Sequence, residues 1–397
     1  MSVKVSRILL LSTLIAGASV LALFGSGKSE TAADATAKDG SKAGDCPDSV
    51  LQIRYARGFK VEYRDNHKIV TVFKPWRGAE ADFQYVLVPR GSPRPKAHGK
   101  ALQIVEVPVR SIVTMSTTYL THLDMLGVLD RLVGHDSFAH VNNPNVRRLI
   151  ANKKIKEVGE GSAVNIELLL DMEPDLIMTS SLGGQWDVHS KLEEAGFRVV
   201  LNGEYMETSP LGRSEWIKFI ALFFNREQEA EHIFEGISRQ YEALKEKARG
   251  AADRPTVLTE APYQGSWWVA GGGSYMARFI EDAGARYVWS SDPSTGSRLL
   301  DFEAIYAAAS EADYWINPGT WRSLSEGLAV DERFVELSAF RRGNVFNNNA
   351  RTNEYGGNDY WESGVARPYE ILADLIRIFH PDLLPDHRLK YYRRLPP

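Results

Sequence analysis

Two carboxylates hold matching places in the chain. Glu167 lies in VNIELLLDMEPDLIMTSS, residues 164–181, at the head of a short apolar helical run that passes through Pro174 and Asp175 into an apolar strand. Glu303 lies in LDFEAIYAAASEADYWINPG, residues 300–319, ahead of a second apolar run, Ala312, Asp313 and another apolar strand. The order in both is acid, helix, aspartate, strand, with a spacing of eight residues from Glu167 to Asp175 and ten from Glu303 to Asp313. A carboxylate in the first turn of a helix is favoured by the helix dipole whatever else it does. Two copies of one pattern point further, to two similar lobes that each present one acid to the same partner.

Other reactive chemistry is sparse. His122 and Asp124 are two apart on a helix and so do not share a face. The nine histidines are scattered without HxxxH or Cys/His spacing, which argues against a zinc site. Cys46 is the only cysteine, so it forms no disulfide within the chain and builds no metal site by itself. The AGGGS turn at 270–274 precedes a helix and is able to receive an anion, but it lacks the Lys-Ser/Thr of a phosphate loop and does not match GxGxxG; a tight turn is its ordinary role. There is no GxSxG and no nucleophile–base pair. These residues imply no enzyme, no resident cofactor and no bare-metal site. Haem ligation through Tyr119 or His189 stays open, with nothing singling out either.

The elements that must position these residues follow from the chain's rhythm. At 397 residues, 44% hydrophobic and 25% charged, the length suggests two domains, and a net charge of -4 gives no basic field for nucleic acid. Lys4 and Arg7 precede an apolar run, Ile8 to Phe24, then Gly25-Ser26-Gly27. Residues 1–27 therefore read as a secretory signal peptide, with an uncleaved N-terminal anchor as the alternative, although the run is short for a membrane span. Cys46 lies too far downstream for a lipoprotein signal. Residues 28–49 are small, polar and aperiodic, a disordered spacer. Residues 50–105 are strand-like, with FKVEYRDNHKIVTVF turning at Asp65-Asn66 as a hairpin, and form a β-rich extension packed on the first lobe.

From 106 to 225 strands (SIVTMS, RLVGHD, DLIMTS, FRVVLNG) alternate with helical segments, the mark of βα units and a mostly parallel sheet. Residues 226–250 place Ala230, Ile233, Phe234, Ile237, Tyr241 and Leu244 at three- and four-residue steps, an amphipathic helix of about 24 residues and about 36 Å. Residues 251–397 repeat the alternation through TVLTEA, SWWVAGG, ADYWINPG, an Asn- and Gly-rich loop at 347–361 and a helix from Gly364 to Phe379. The predicted fold is α/β: two Rossmann-like α/β lobes joined by one long interdomain helix, with a β-rich N-terminal extension.

This organisation resembles the helical-hinge class of extracytoplasmic solute-binding proteins, which feed ABC importers for iron–siderophore complexes, vitamin B12 and haem. The resemblance covers about residues 105–385. Its most specific part runs from Asn165-Ile166-Glu167 to Glu173-Pro174-Asp175-Leu176-Ile177, close to that family's N-(hydrophobic)-E … P-D-L-(hydrophobic) signature; SIVTMSTTYL and KLEEAGFRVV also fit. It implies an exported, periplasmic, monomeric binder, free or held at the membrane by an uncleaved N-terminal segment, whose partners are a permease dimer and a metal complex. In the family one glutamate at the tip of each lobe pairs with arginines on the permease, a role that falls to Glu167 and Glu303. Such rim charges steer docking and fix register.

In a two-lobe binder the ligand sits between the lobes at the carboxyl ends of the strands. That rule selects Tyr119, Trp186 and Tyr205 from the first lobe, and Trp267, Trp321, Arg322, Arg351 and Tyr360 from the second. Arg213, Arg298, Tyr275 and the 347–361 loop are further candidates. Trp267 and Trp268 are strand neighbours, so only one of them faces the cleft, while Trp216 and Trp315 read as core. Aromatic rings suit a large, partly flat ligand, and arginines suit an anionic one. Together they favour a ferric siderophore-type complex, with a corrinoid next and haem third; a secreted two-lobe α/β enzyme is the alternative of a different class. One stiff connecting helix implies closure by a small rotation.

Overall fold

The computed structural model describes residues 51–93, 103–184 and 187–397. The expected signal and spacer, and Trp186, lie outside the described residues. Four strands, β1 (Phe59–Arg64), β2 (His67–Val72), β3 (Phe83–Pro89) and β4 (Gln103–Val107), form the N-terminal sheet in that order. The β1–β2 hairpin pairs Arg64 with His67 across Asp65-Asn66, where the alternating pattern places the turn.

The first-lobe sheet contains β5 (Ile112–Thr114), β6 (Leu132–His135), β7 (Lys156–Glu157), β8 (Leu176–Thr179) and β9 (Val199–Leu201). All its pairings are parallel, in the order β7-β6-β5-β8-β9. Helices cover both faces, so the central strands β5 and β8 are buried throughout; this is why IVT and LIMT read as unbroken rather than alternating runs.

The remaining strands are β10 (Thr256–Thr259), β11 (Pro262–Tyr263), β12 (Ser266–Ala270), β13 (Arg286–Tyr287), β14 (Ser297–Leu300), β15 (Tyr314–Ile316), β16 (Val345–Asn347) and β17 (Arg393–Arg394). The second-lobe sheet runs β13-β10-β15-β16-β17, parallel except for β17, and β11-β12-β14 form a small antiparallel sheet beside it. The expected helix from Gly364 to Phe379 is two helices, Ser363–Ala366 and Pro368–Phe379. Pro368 has no N–H to donate and drives Arg367 out of helical geometry.

The repeat read in the sequence is a structural equivalence. Asn165 Oδ1 accepts from Leu168 N at 2.9 Å and Asp301 Oδ1 accepts from Ala304 N at 2.8 Å, so each helix is capped one residue before its first position, and Glu167 and Glu303 are both its second residue. Each following aspartate then fastens the start of the neighbouring strand. Asp175 accepts from Arg110 N at 2.7 Å, just ahead of β5, and Asp313 accepts from Thr256 N at 2.8 Å, at the start of β10. The two-residue difference in spacing is split, one residue lengthening the second-lobe helix from seven to eight and one added between that helix and Asp313.

The long helix Glu227–Arg249 joins the lobes. Its amino-terminal half packs on the first-lobe side through Phe234, which meets Tyr55 edge-on at 5.8 Å. Its carboxyl-terminal half is held to the second lobe by Tyr241 OH donating to Asp282 at 2.9 Å and by Lys245 pairing with Asp282 at 3.1 Å. The extension is fastened by two buried acids ahead of this helix. Glu215 accepts from the backbone amides of Arg54, Tyr55 and Ala56 at 2.7–3.1 Å and from Lys218 Nζ at 2.9 Å. Glu207 accepts from Arg57 N, Gly58 N and the Trp216 indole. Tyr85 OH and Gln103 Oε1 then accept from Leu201 N and Val199 N, covering the edge strand β9.

Candidate ligand cleft

The carboxyl ends of β8 and β9 in the first lobe and of β10 and β15 in the second mark the cleft. The loop after β9 carries Glu204, which pairs with Arg213 on the next helix, Pro210–Ser214. Arg213 is only 8% exposed, and it is roofed by rings from the other side: its guanidinium carbon lies 5.1 Å from the Tyr275 ring centroid and 5.8 Å from that of Trp361. Burial works against the Arg213 charge, but the adjacent Glu204 carboxylate more than restores it and raises the group. A cationic centre walled by aromatics thus sits where the lobes meet.

Tyr275 reaches this place because the glycine turn before it can press flat against the 289–294 loop. A Cβ on Gly271 would fall 2.1 Å from Ser294 O, and one on Gly272 2.3 Å from Trp289 O. The AGGGS turn is therefore a close-packing device. Around Arg213 the hydroxyls of Tyr275, Tyr360 and Tyr392 and the Asn317 side chain are buried against one another, Tyr275 facing Arg213 and Tyr392 facing both Tyr360 and Asn317. Each would cost about 1–3 kcal/mol if left unpaired, so these groups hold together as one polar cluster beside the arginine. His122 lies near the same arginine, and burial together with the charges of Arg367 and Arg213 pushes its imidazole down to about 3; it stays neutral.

The expected contact residues divide into three groups. Tyr360 joins the Arg213 cluster, fully buried and edge-on to Tyr391 and Tyr392. Tyr119 is buried beside it on the first-lobe side, near the Glu204 charge, and Tyr205 is half-buried with its hydroxyl donating to Ser181 O at 2.5 Å. Trp267 and Trp321 require correction: they are core. Trp267 stacks on Trp315 at 5.4 Å, Trp321 meets Trp315 edge-on at 5.2 Å, and both pack on Phe334. Strand alternation in β12 turns Trp267 inward and leaves its neighbour Trp268 as the partly exposed one. Arg322 and Arg351 are exposed, and Arg351 is engaged by Asp359 at 2.6 Å; neither joins the Arg213 cluster.

The 347–361 loop bridges the lobes. Asn353 Nδ2 donates to Ala139 O at 2.9 Å and Val141 O at 3.2 Å, and Glu362 accepts from Asn142 N at 2.5 Å and Asn143 N at 3.0 Å. Burial pushes the Glu362 carboxyl up to about 7 against those two hydrogen bonds. Sequence reasoning missed Glu204 and Glu362, because an acid that becomes buried through a partner distant in the chain leaves no local pattern. Among the described residues no three His, Cys, Asp or Glu side chains gather to hold a metal ion, and no helix is long and apolar enough to cross a membrane.

Known proteins are similar to this chain in sequence or in fold. An uncharacterised lipoprotein of Methanocaldococcus jannaschii is 23% identical over 363 residues, covering 86% of this chain and 84% of that one. A crystal structure of a periplasmic heme binding protein from Pseudomonas aeruginosa superposes with a TM-score of 0.53 at 20% identity, over 69% of this chain and 94% of that one. An ABC-type Fe3+-hydroxamate transport system structure from Saccharomonospora viridis gives a TM-score of 0.52 at 17% identity, over 69% and 94%. At such identities the two structures speak to the fold. The family model described as periplasmic binding protein matches residues 112–351, more than half of the chain. With one long helix joining its lobes, the chain belongs to the periplasmic binding protein family, in its helical-hinge class.

Proposed function

We propose that the protein captures a ferric siderophore-type complex between its lobes and delivers it to the permease dimer of an ABC importer, docking through Glu167 and Glu303. The observation that carries the ligand class is Arg213 under the rings of Tyr275 and Trp361, with the phenols of Tyr360 and Tyr392 clustered beside it. Rings accommodate the apolar periphery of a chelate and a guanidinium complements its anionic oxygens. A corrinoid, which rings alone can clamp, is the runner-up. Tyr119 is buried and His189 packs between Trp76 and Phe83, which weighs against haem held by either as an axial ligand. The protein is an exported monomer that acts in the periplasm, free or retained at the membrane by residues 1–27, and catalyses no reaction.

The experiment is a tryptophan-fluorescence titration with ferric tris-catecholate, ferric tris-hydroxamate, cobalamin and haem in parallel. Saturable quenching by a ferric chelate at micromolar concentration or below, without turnover, is the expected result. Saturation by cobalamin alone transfers the assignment to the runner-up. No response to any probe, or turnover lost on replacing one cleft acid, contradicts the binding reading.

A further inference from the structure

The loop Phe73–Asp82, between β2 and β3, touches both lobes at the cleft. Pro75 packs on Gly203 in the loop after β9, where a Cβ would lie 3.4 Å from Pro75 Cα. Trp76 covers Gly183 in the loop after β8, with a Cβ there falling 2.3 Å from the indole Cδ1, and its ring is backed by Phe83 at 5.4 Å and His189 at 5.6 Å. The next side chain crosses over. The Arg77 guanidinium lies on Gly296 of the second lobe, where a Cβ would come within 1.7 Å of it. One turn of three residues thus meets two first-lobe cleft loops and the second-lobe segment entering β14. The turn is folded, not trailing: Ala79 N donates to Trp76 O at 3.1 Å, Lys74 N donates to Asp82 at 3.2 Å, and Gly78 takes the left-handed backbone, φ 85°, that glycine favours.

Arg77 itself is exposed and makes no hydrogen bond or ion pair among the described residues. The nearest second-lobe acid on that segment, Asp292, is already taken by Ser294 at 2.7 Å and Arg298 at 3.2 Å. A guanidinium that lies on the second lobe, carried by a loop packed on the first and without an ion-pair partner among the described residues, is disposed to meet an anion entering between them.

We infer that the Phe73–Asp82 loop is a third wall of the ligand cleft, in which Arg77 contributes the positive charge that meets an anionic metal complex and Trp76 anchors the loop to the first lobe. The β-rich extension thereby acquires a role in binding, since it carries to the cleft mouth a charged residue that neither lobe supplies. The inference rests on the binding reading above and adds to it the extension's own share of the ligand.

The test repeats the titration with Arg77→Ala, Arg77→Lys and Gly296→Ala, at two salt concentrations. For an anionic probe, ferric tris-catecholate or haem with its propionates, Arg77→Ala weakens binding about tenfold, as expected when one charge-assisted hydrogen bond is removed. Arg77→Lys retains most of the affinity, and Gly296→Ala, which displaces the guanidinium from the opposite lobe, reproduces part of the loss. Added salt weakens the wild type more than Arg77→Ala; a loop that only braced the fold would not change the salt dependence. If the wild type binds any probe and Arg77→Ala binds it equally well at both salts, the inference is overturned while the binding function stands. If the wild type binds none of the probes, the binding reading fails and takes this inference with it.

Discussion

The two lobe tips carry the same device in different electrostatic settings. On the first lobe Glu167 is exposed and makes no ion pair among the described residues, and Leu170, on the same short helix, is 51% exposed. On the second lobe Glu303 shares its charge with Arg333, 3.4 Å away, and that arginine is held by Asp331 at 2.7 Å and lies 4.0 Å over the Phe302 ring. An acid already facing a local cation attracts a second one less. Equivalent positions in a repeat therefore need not be equal in strength: a basic partner surface should engage the first lobe more strongly.

The sharpest way to break this asymmetry is to remove both acids. Glu167→Ala with Glu303→Ala is expected to reduce ligand uptake through the importer about tenfold or more while ligand affinity stays at the wild-type value, since rim charges govern encounter and orientation. Unchanged uptake in the double variant would end the docking role. Measured singly, Glu167→Ala costs more uptake than Glu303→Ala; the reverse order contradicts the asymmetry.

A smaller effect comes from Arg333→Ala. Freed of its local cation, Glu303 contributes more, so uptake at low salt rises or the penalty of Glu167→Ala shrinks; an unchanged penalty means the Arg333 pair is irrelevant. Behind the tips the two aspartates can be compared by urea denaturation. Asp175→Ala and Asp313→Ala each destabilise by about 1–3 kcal/mol, because each strands a strand-end amide. Asp175 is the more costly, since its pair with Arg90 of the extension, at 2.7 Å, is closer and less exposed than that of Asp313 with Arg342 at 3.7 Å.

The smallest effect is in pH. The Glu362 carboxyl is raised by burial to about 7, above its unfolded value, so the folded chain binds the extra proton. Its stabilising contribution is complete below the unfolded pKa and is lost as pH rises through about 7. Glu362→Gln should therefore flatten the slope of melting temperature against pH between the unfolded carboxyl range and neutrality. An identical slope in both proteins removes Glu362 as its source.

What is legible in the sequence is local. The helices around Glu167 and Glu303 announce themselves by an Asx cap, an acid in the first turn and an apolar run, all within one short stretch, and the parallel sheets by continuous apolar strands. The rule that ligands meet strand carboxyl ends selects the turn that carries Tyr275, whereas Arg213 stands out only by its charge, and nothing in the sequence says that the two pack together at 5.1 Å. Alternation says that only one of Trp267 and Trp268 faces outward but not which, because that is decided by Trp315 on another strand. The contact of the extension with the second lobe is illegible because Arg77 and Gly296 are far apart in the chain and neither carries a pattern. A clue does exist in Glu215 and Lys218, charges three apart on an otherwise apolar helix face; their burial with the amides of residues 54–56 is the fastening of the extension.

The most direct test of ligand capture between the lobes is amide hydrogen exchange, with and without the chelate that binds tightest in the titration. The expected result is protection confined to the loops after β8 and β9, the Phe73–Asp82 loop, the turn before Tyr275 and the 347–361 bridge, with the helices bearing Glu167 and Glu303 unchanged. Protection of those two helices, with the cleft loops unaffected, would place the ligand on the lobe tips and contradict it.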